Sequence, residues 1–180
     1  VLLIVGGLVL LLVIVIAAAV VLIVNRADGN PTANQSTPTA RTKPSDPAAV
    51  EFRRVLSAAP GSCPTPAPAG TACDDEGMRY KVGKVELDGS NVSEVKVALD
   101  AGSSGWYITV NLDPEGAKLF GKLTAGLAKQ TPPTNQLAIL VRGRVVAAPT
   151  VQSEISGGKL QITGSYTRDT AEALVAKITG

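Results

Sequence analysis

The chain has 180 residues, a formal net charge of +2 at pH 7, 3% aromatic residues and no histidine. Without histidine there is no Ser-His or Cys-His nucleophilic machinery. A near-neutral charge, no basic run longer than Arg53-Arg54 and few stacking side chains also argue against a nucleic-acid partner.

Residues 1–24, "VLLIVGGLVLLLVIVIAAAVVLIV", contain no polar or charged side chain. As one helix they would extend about 36 Å, enough to cross a hydrocarbon core of about 30 Å with some tilt. A cleaved signal peptide is the competing reading, with an apolar region of about 7–15 residues before small residues. Here the apolar run resumes after Ala17-Ala18-Ala19, so a membrane anchor in contact with lipid is expected. Gly6 and Gly7 are adjacent and do not make a four-residue helix-pairing motif. Residues 25–47, rich in Pro, Thr, Asn and Ser, lack the apolar surface to offset ordering entropy and read as a flexible linker.

Residues 48–79 read as a short element followed by a loop. "DPAAVEFRRVLSAAP" carries Asp46 as a helix cap and Pro47 at the first helical position, yet a strand through "VEFRRVL" fits nearly as well. Cys63 and Cys73 follow, ten positions apart. A zinc site normally takes four ligands, so a disulfide in an oxidising compartment is the economical reading, with a reduced pair as its alternative. Arg26, just after the apolar run, mildly favours the opposite orientation. The cysteine pair and linker chemistry outweigh it, which predicts a single-pass protein of the cell membrane with its carboxyl-terminal domain outside.

Residues 80–180 read as one α+β domain. "YKVGKVELDGS" places Val82, Val85 and Leu87 around Gly83 and ends in a turn. Val95-Val97-Leu99 and Trp106-Ile108-Val110-Leu112 alternate on either side of a Gly-Ser turn, predicting a hairpin with one buried face. A helix then starts at cap Asp113, Pro114 and Glu115, with Ala117, Phe120, Leu123 and Leu127 on one face. "TPPTN" ends it. "QLAILVRGRVVAAPTV" reads as a second hairpin turning at Arg142-Gly143, where Arg142 is a mild misfit for a tight primed turn. Gly157-Gly158 turn the chain again, Leu160 and Ile162 face the core, Gly164 ends that strand, and Thr167 caps a last helix packed through Ala171, Leu174, Val175 and Ile178. The expected architecture is an antiparallel sheet with two helices on one face.

Other chemical readings compete with plainer ones. Asp74-Asp75-Glu76 is the one dense acidic cluster, but it lacks the ordered ligand spacing of a calcium loop and reads as a solvated turn. Asp113 and Glu115 could be imagined as a carboxylate pair, but capping explains both. Gly157-Gly158 precede a strand-like segment, so they make no phosphate loop, and Trp106 reads as core. The sequence thus predicts no catalytic, metal or cofactor residue and no small-molecule substrate.

"WYITVNLDPEGAKLFGKLT" followed by "NQLAILVRGRVVAAPTVQSEISGGKLQITGSYTRDTAEALVAKITG" resembles the head part of the first large extracytoplasmic domain of SecD/SecDF, membrane components that assist the bacterial Sec translocon. The family pattern of a W-x-V-x-L-x-L strand, an E-G-A-x-x-F helix, an L-A-I-x-x-D-G-x-V-x-x-A-P hairpin, I-T-G and a Thr-capped helix is met at Trp106, Glu115–Ala117, Phe120, Leu137–Ile139, Gly143, Val145, Ala148-Pro149 and Ile162–Gly164. Thr124, Ile155, Gly158, Thr167, Ala171 and Leu174 also match. "FRRVL" is similar to the family's F-R-P-V-L segment, which favours a strand there. Arg142 replaces the usual Asp, and Tyr166 a frequent Phe. The family's proton-coupled role depends on ionisable residues inside several spans; the apolar run here has none. The resemblance therefore implies a head that contacts exported polypeptide or the Sec translocon, rather than a proton-driven device. An envelope structural or partner-binding protein unrelated to secretion is the alternative.

Overall fold

The computed structural model describes residues 43–180 except 65, 101, 103 and 104, so the predicted anchor and most of the predicted linker lie outside the described residues. Among those described, no helix is long and apolar enough to cross a membrane. Eight strands form: β1 (Val50–Pro60), β2 (Thr71–Cys73), β3 (Met78–Asp88), β4 (Val92–Leu99), β5 (Trp106–Leu112), β6 (Leu137–Val141), β7 (Arg144–Ala147) and β8 (Lys159–Tyr166). Among the described residues two helices, α1 (Pro114–Leu127) and α2 (Arg168–Thr179), accompany the strands.

The α+β class holds, with the strands divided between two antiparallel sheets rather than gathered into one. Sheet A runs β2-β3-β1-β6-β7 and sheet B runs β4-β5-β8. In sheet B the predicted hairpin forms in register, with Val95 opposite Val110 and Val97 opposite Ile108. One face of that sheet is apolar; on the other, Asn111 Nδ2 donates to Glu94 Oε2 at 2.9 Å. Both helices add their apolar sides to the same core, which also takes Phe52, Leu87, Leu137 and Ile139 from sheet A. Phe120 of α1 meets Phe52 edge to face, with centroids 6.2 Å apart.

Sheet A has a second, smaller core on its other face, built from Val55, Ala72, Tyr80, Val82, Ala138, Leu140 and Val145. Strands β1 and β3 serve both cores by alternation: Phe52 and Val55, three apart, and Leu87 and Val82, five apart, fall on opposite faces, with Phe52 and Leu87 in the large core and Val55 and Val82 in the small one. The β1–β3 pairing carries register shifts between Phe52 and Ser57. Val85, expected beside Val82 and Leu87, sits in the shifted stretch and is 36% exposed.

Local signals are met with two differences. Asp46 caps as predicted, accepting from Ala48 N at 2.9 Å, but the turn it opens is one 3-10 turn, Pro47–Ala49, before β1 begins. Gly164 does not end β8; the strand continues to Tyr166 across an irregularity opposite Trp106–Ile108. Asp113 caps α1 through Gly116 N at 2.7 Å, and Thr167 caps α2 in a reciprocal pair with Thr170. Gly158, at φ +62°, lies where a Cβ would come within 2.6 Å of the Ala117 Cβ, so the chain entering β8 passes hard against α1.

Because Phe120 joins α1 to sheet A at the centre of the large core, Phe120→Ala is expected to cost about 3–5 kcal/mol. Equilibrium denaturation of wild type and variant measures this; a loss below 1 kcal/mol would contradict that central placement.

Candidate functional site

A concave feature lies where sheets A and B fail to join. It is a groove of about 800 Å³ with β7 on one side, β8 and α2 on the other, and the turn carrying Asp74–Glu76 at one end. Among the described residues, β7 has β6 as its one hydrogen-bonded strand neighbour and β8 has β5, so each presents an edge with no partner strand among them. Val145 and Ala147 give the groove apolar surface, and Gln161 and Thr163 give it polar surface.

The acidic turn is held in place by its own side chains. Asp74 Oδ1 accepts from Glu76 N at 3.0 Å and from Met78 N at 2.8 Å, while Asp74 Oδ2 accepts from the Tyr80 hydroxyl at 3.1 Å. Arg144, the first residue of β7, donates to the Asp74 carbonyl at 3.3 Å and forms an ion pair with Asp75. The carboxylates of Asp74 and Asp75 are thus engaged in shaping the loop and fastening it to β7. Among the described residues, no group of three or more His, Cys, Asp or Glu side chains is placed to hold a metal ion.

Cys63 and Cys73 are joined by a disulfide, with Cα atoms 5.9 Å apart. Gly61 N donates to Gly77 O at 2.9 Å, closing the same loop from the β1 side. Burial, and next the hydrogen bond to Asp74, push the Tyr80 hydroxyl above its ordinary pKa of 10.0; burial does the same to Tyr166.

Asp113, Glu115, Trp106 and Arg142 stand apart from the groove, whereas Val145, Ala148, Pro149, Gly164 and Tyr166, which carry or depart from the family pattern, line it. Asp113 caps α1 and Glu115 lies exposed in its first turn. Trp106 packs on the large core with the Arg168 guanidinium 5.8 Å from its ring centre. Arg142 takes φ +50° in the β6–β7 turn, and its side chain donates to Lys177 O and to Asp46 Oδ2, both at 3.1 Å. The expected misfit therefore gains partners that tie the turn to the end of α2. The grouping of the groove residues was not foreseen. Exposed Gln161 and Thr163 on β8 were the available signal, but nothing local marks that strand as an edge.

Comparison with known proteins gives this groove its family context. A family profile described as SecDF, P1 head subdomain, matches residues 68–180. The chain belongs to the SecDF P1 head subdomain family. Among curated proteins, it is 32% identical over 98 residues to protein translocase subunit SecD of Streptomyces coelicolor, a match covering 54% of this chain and 17% of that protein. It is 39% identical over 88 residues to SecD of Syntrophobacter fumaroxidans, covering 49% and 16% respectively. The chain thus spans about a sixth of the length of these relatives. A solved structure described as a membrane component SecDF that enhances protein export superposes with a TM-score of 0.53 at 24% identity, covering 74% of this chain and 63% of the other. That likeness establishes the SecDF head fold for this P1 head member.

Two outcomes follow for the arm at the groove's end. Closing its short loop is worth about 2–3 kcal/mol in the chain-entropy model, so C63S/C73S is expected to lose that much in denaturant titrations. Tyr80 is favoured in its neutral form when folded. Its contribution is therefore complete below pH 10, the unfolded value, and declines as pH rises towards the higher folded value. Urea midpoints measured across that range should fall less steeply in Tyr80→Phe than in wild type; parallel curves would contradict the assignment.

Proposed function

We propose that this P1 head domain binds extended segments of polypeptide during export, outside the membrane, tethered by residues 1–24 and the linker that follows. The groove between the unpartnered edges of β7 and β8 carries this reading. A free strand edge offers backbone N–H and C=O groups in a row, and an extended chain can satisfy them whatever its side chains. Backbone-led recognition suits a domain that must handle exported chains of unrelated sequence. The disulfide supports an oxidising location, and the translocase subunits among its relatives support work beside the Sec translocon.

The reading favours binding over chemistry, since the carboxylates nearest the groove are occupied in holding the arm. Photo-cross-linking in cells tests it. A photoreactive residue at Thr163, in the groove, is expected to capture secretory polypeptides only while export proceeds. The same probe at Lys122, exposed on α1 and outside the groove, should capture few. Equal capture from both positions, or capture of envelope structural proteins alone, would overturn the proposal.

A further inference from the structure

The turn at the groove's end combines a firm root with a weak tip. At the root, buried Cys73 ends β2 and is bonded covalently to Cys63, while Gly61 N donates to Gly77 O. Within the turn, Asp74 binds the Tyr80 hydroxyl and the backbone N–H groups of Glu76 and Met78, giving the segment a shape of its own. Its side-chain hold on β7 is Arg144, which donates to the Asp74 carbonyl at 3.3 Å and pairs with Asp75, the two side chains of that pair being 59% and 88% exposed. A pair so open to water is weak and yields to salt. Gly77, at φ +86°, has nothing within 4 Å of its Cβ position, so the turn faces open space on that side. Arg144 is itself the first residue of β7 and lines the groove, so the tip fastens onto the strand whose edge is open.

We propose that residues 74–78 form a strap across the start of the β7 edge, rooted by Cys63–Cys73 and latched by Asp75 on Arg144, and that unlatching it admits an extended chain. The inference rests on the reading that the groove takes extended polypeptide. It adds a regulated step: entry requires a solvent-exposed ion pair to open, while the disulfide keeps the strap from being lost. The shape of the turn survives unlatching, because Asp74 and not Asp75 supplies its internal hydrogen bonds.

The test uses the full chain in detergent micelles and a fluorescent synthetic peptide of alternating threonine and valine, followed by anisotropy. A version N-methylated at alternate backbone nitrogens serves as control. Asp75→Asn is expected to raise the association rate about two- to fivefold, the range an exposed ion pair supports, with an unchanged denaturation midpoint. The exchange Asp75→Arg with Arg144→Asp should restore the wild-type rate by rebuilding the latch with reversed charges. C63S/C73S should also associate faster than wild type, even though it is less stable. A rate indifferent to Asp75, or an exchange variant that stays fast, overturns the strap while leaving the groove intact. Failure of every form to bind the peptide, or binding the N-methylated control equally, overturns the groove reading and the strap with it.

Discussion

Leu137, Ile139 and Val141 on one face of β6 and Ala138 and Leu140 on the other are all buried, so this strand needs an apolar layer on each side. The large core supplies one, through sheet B and both helices. The other must come from within sheet A, by curling the sheet until β2 approaches β7 across its concave side. Alternation along β1 gives Phe52 to the first core and Val55 to the second, and the register shifts between Phe52 and Ser57 add local twist where the sheet curls.

The two cores differ in how they can be stabilised. The large one contains two phenylalanines and many branched aliphatic side chains, and burial alone accounts for its cohesion. The small one has seven buried members, two of them alanine, and lies under a three-residue strand. There the disulfide, the Asp74–Tyr80 hydrogen bond and the Arg144–Asp75 pair all fall on one side, where packing is thinnest. The groove follows from the same geometry. Sheet A covers its small core where β2 approaches β7, and the facing edges β7 and β8 belong to different sheets and come near each other without a hydrogen-bonded ladder.

Much of this was legible wherever the deciding interaction is local. The caps at Asp113 and Thr167 bond backbone groups three residues away, so their residue types suffice to place them. The β4–β5 hairpin pairs neighbours in sequence, and alternation fixed its register. Asp46 capped as read, and the strand that the FRRVL resemblance favoured forms because β6, more than eighty residues distant, supplies its ladder from Val50 to Arg54. No local pattern contains that partner. The division into two sheets was hidden for the same reason, as was the exposure of Val85. Several positions of the family resemblance now have physical causes. A Cβ at Gly116 would come within 2.7 Å of Asn91 O, Gly158 passes against Ala117, and buried Thr124 Oγ1 accepts from Ile155 N at 2.9 Å. These positions build the head, which is why the resemblance carried the fold and left the groove unnamed.

Open edges are hazardous, because any exposed strand can recruit another copy of itself. β7 and β8 carry the usual protections. β7 is four residues long, is soon followed by Pro149, and begins at an arginine; β8 is irregular around Gly164 and shows Gln161, Thr163 and Ser165 outward. The large exposed apolar side chains Leu56, Leu99 and Ile155 lie outside the groove, so it lacks the broad apolar patch that a permanent subunit contact uses. An edge kept available but short, polar on its outer face and partly strapped suits a ligand held briefly through its backbone and then released. A permanent structural partner would be better served by burying those edges outright. The same features that guard a strand edge against self-pairing therefore favour, for the proposed ligand, a transient, sequence-tolerant contact over a lasting one.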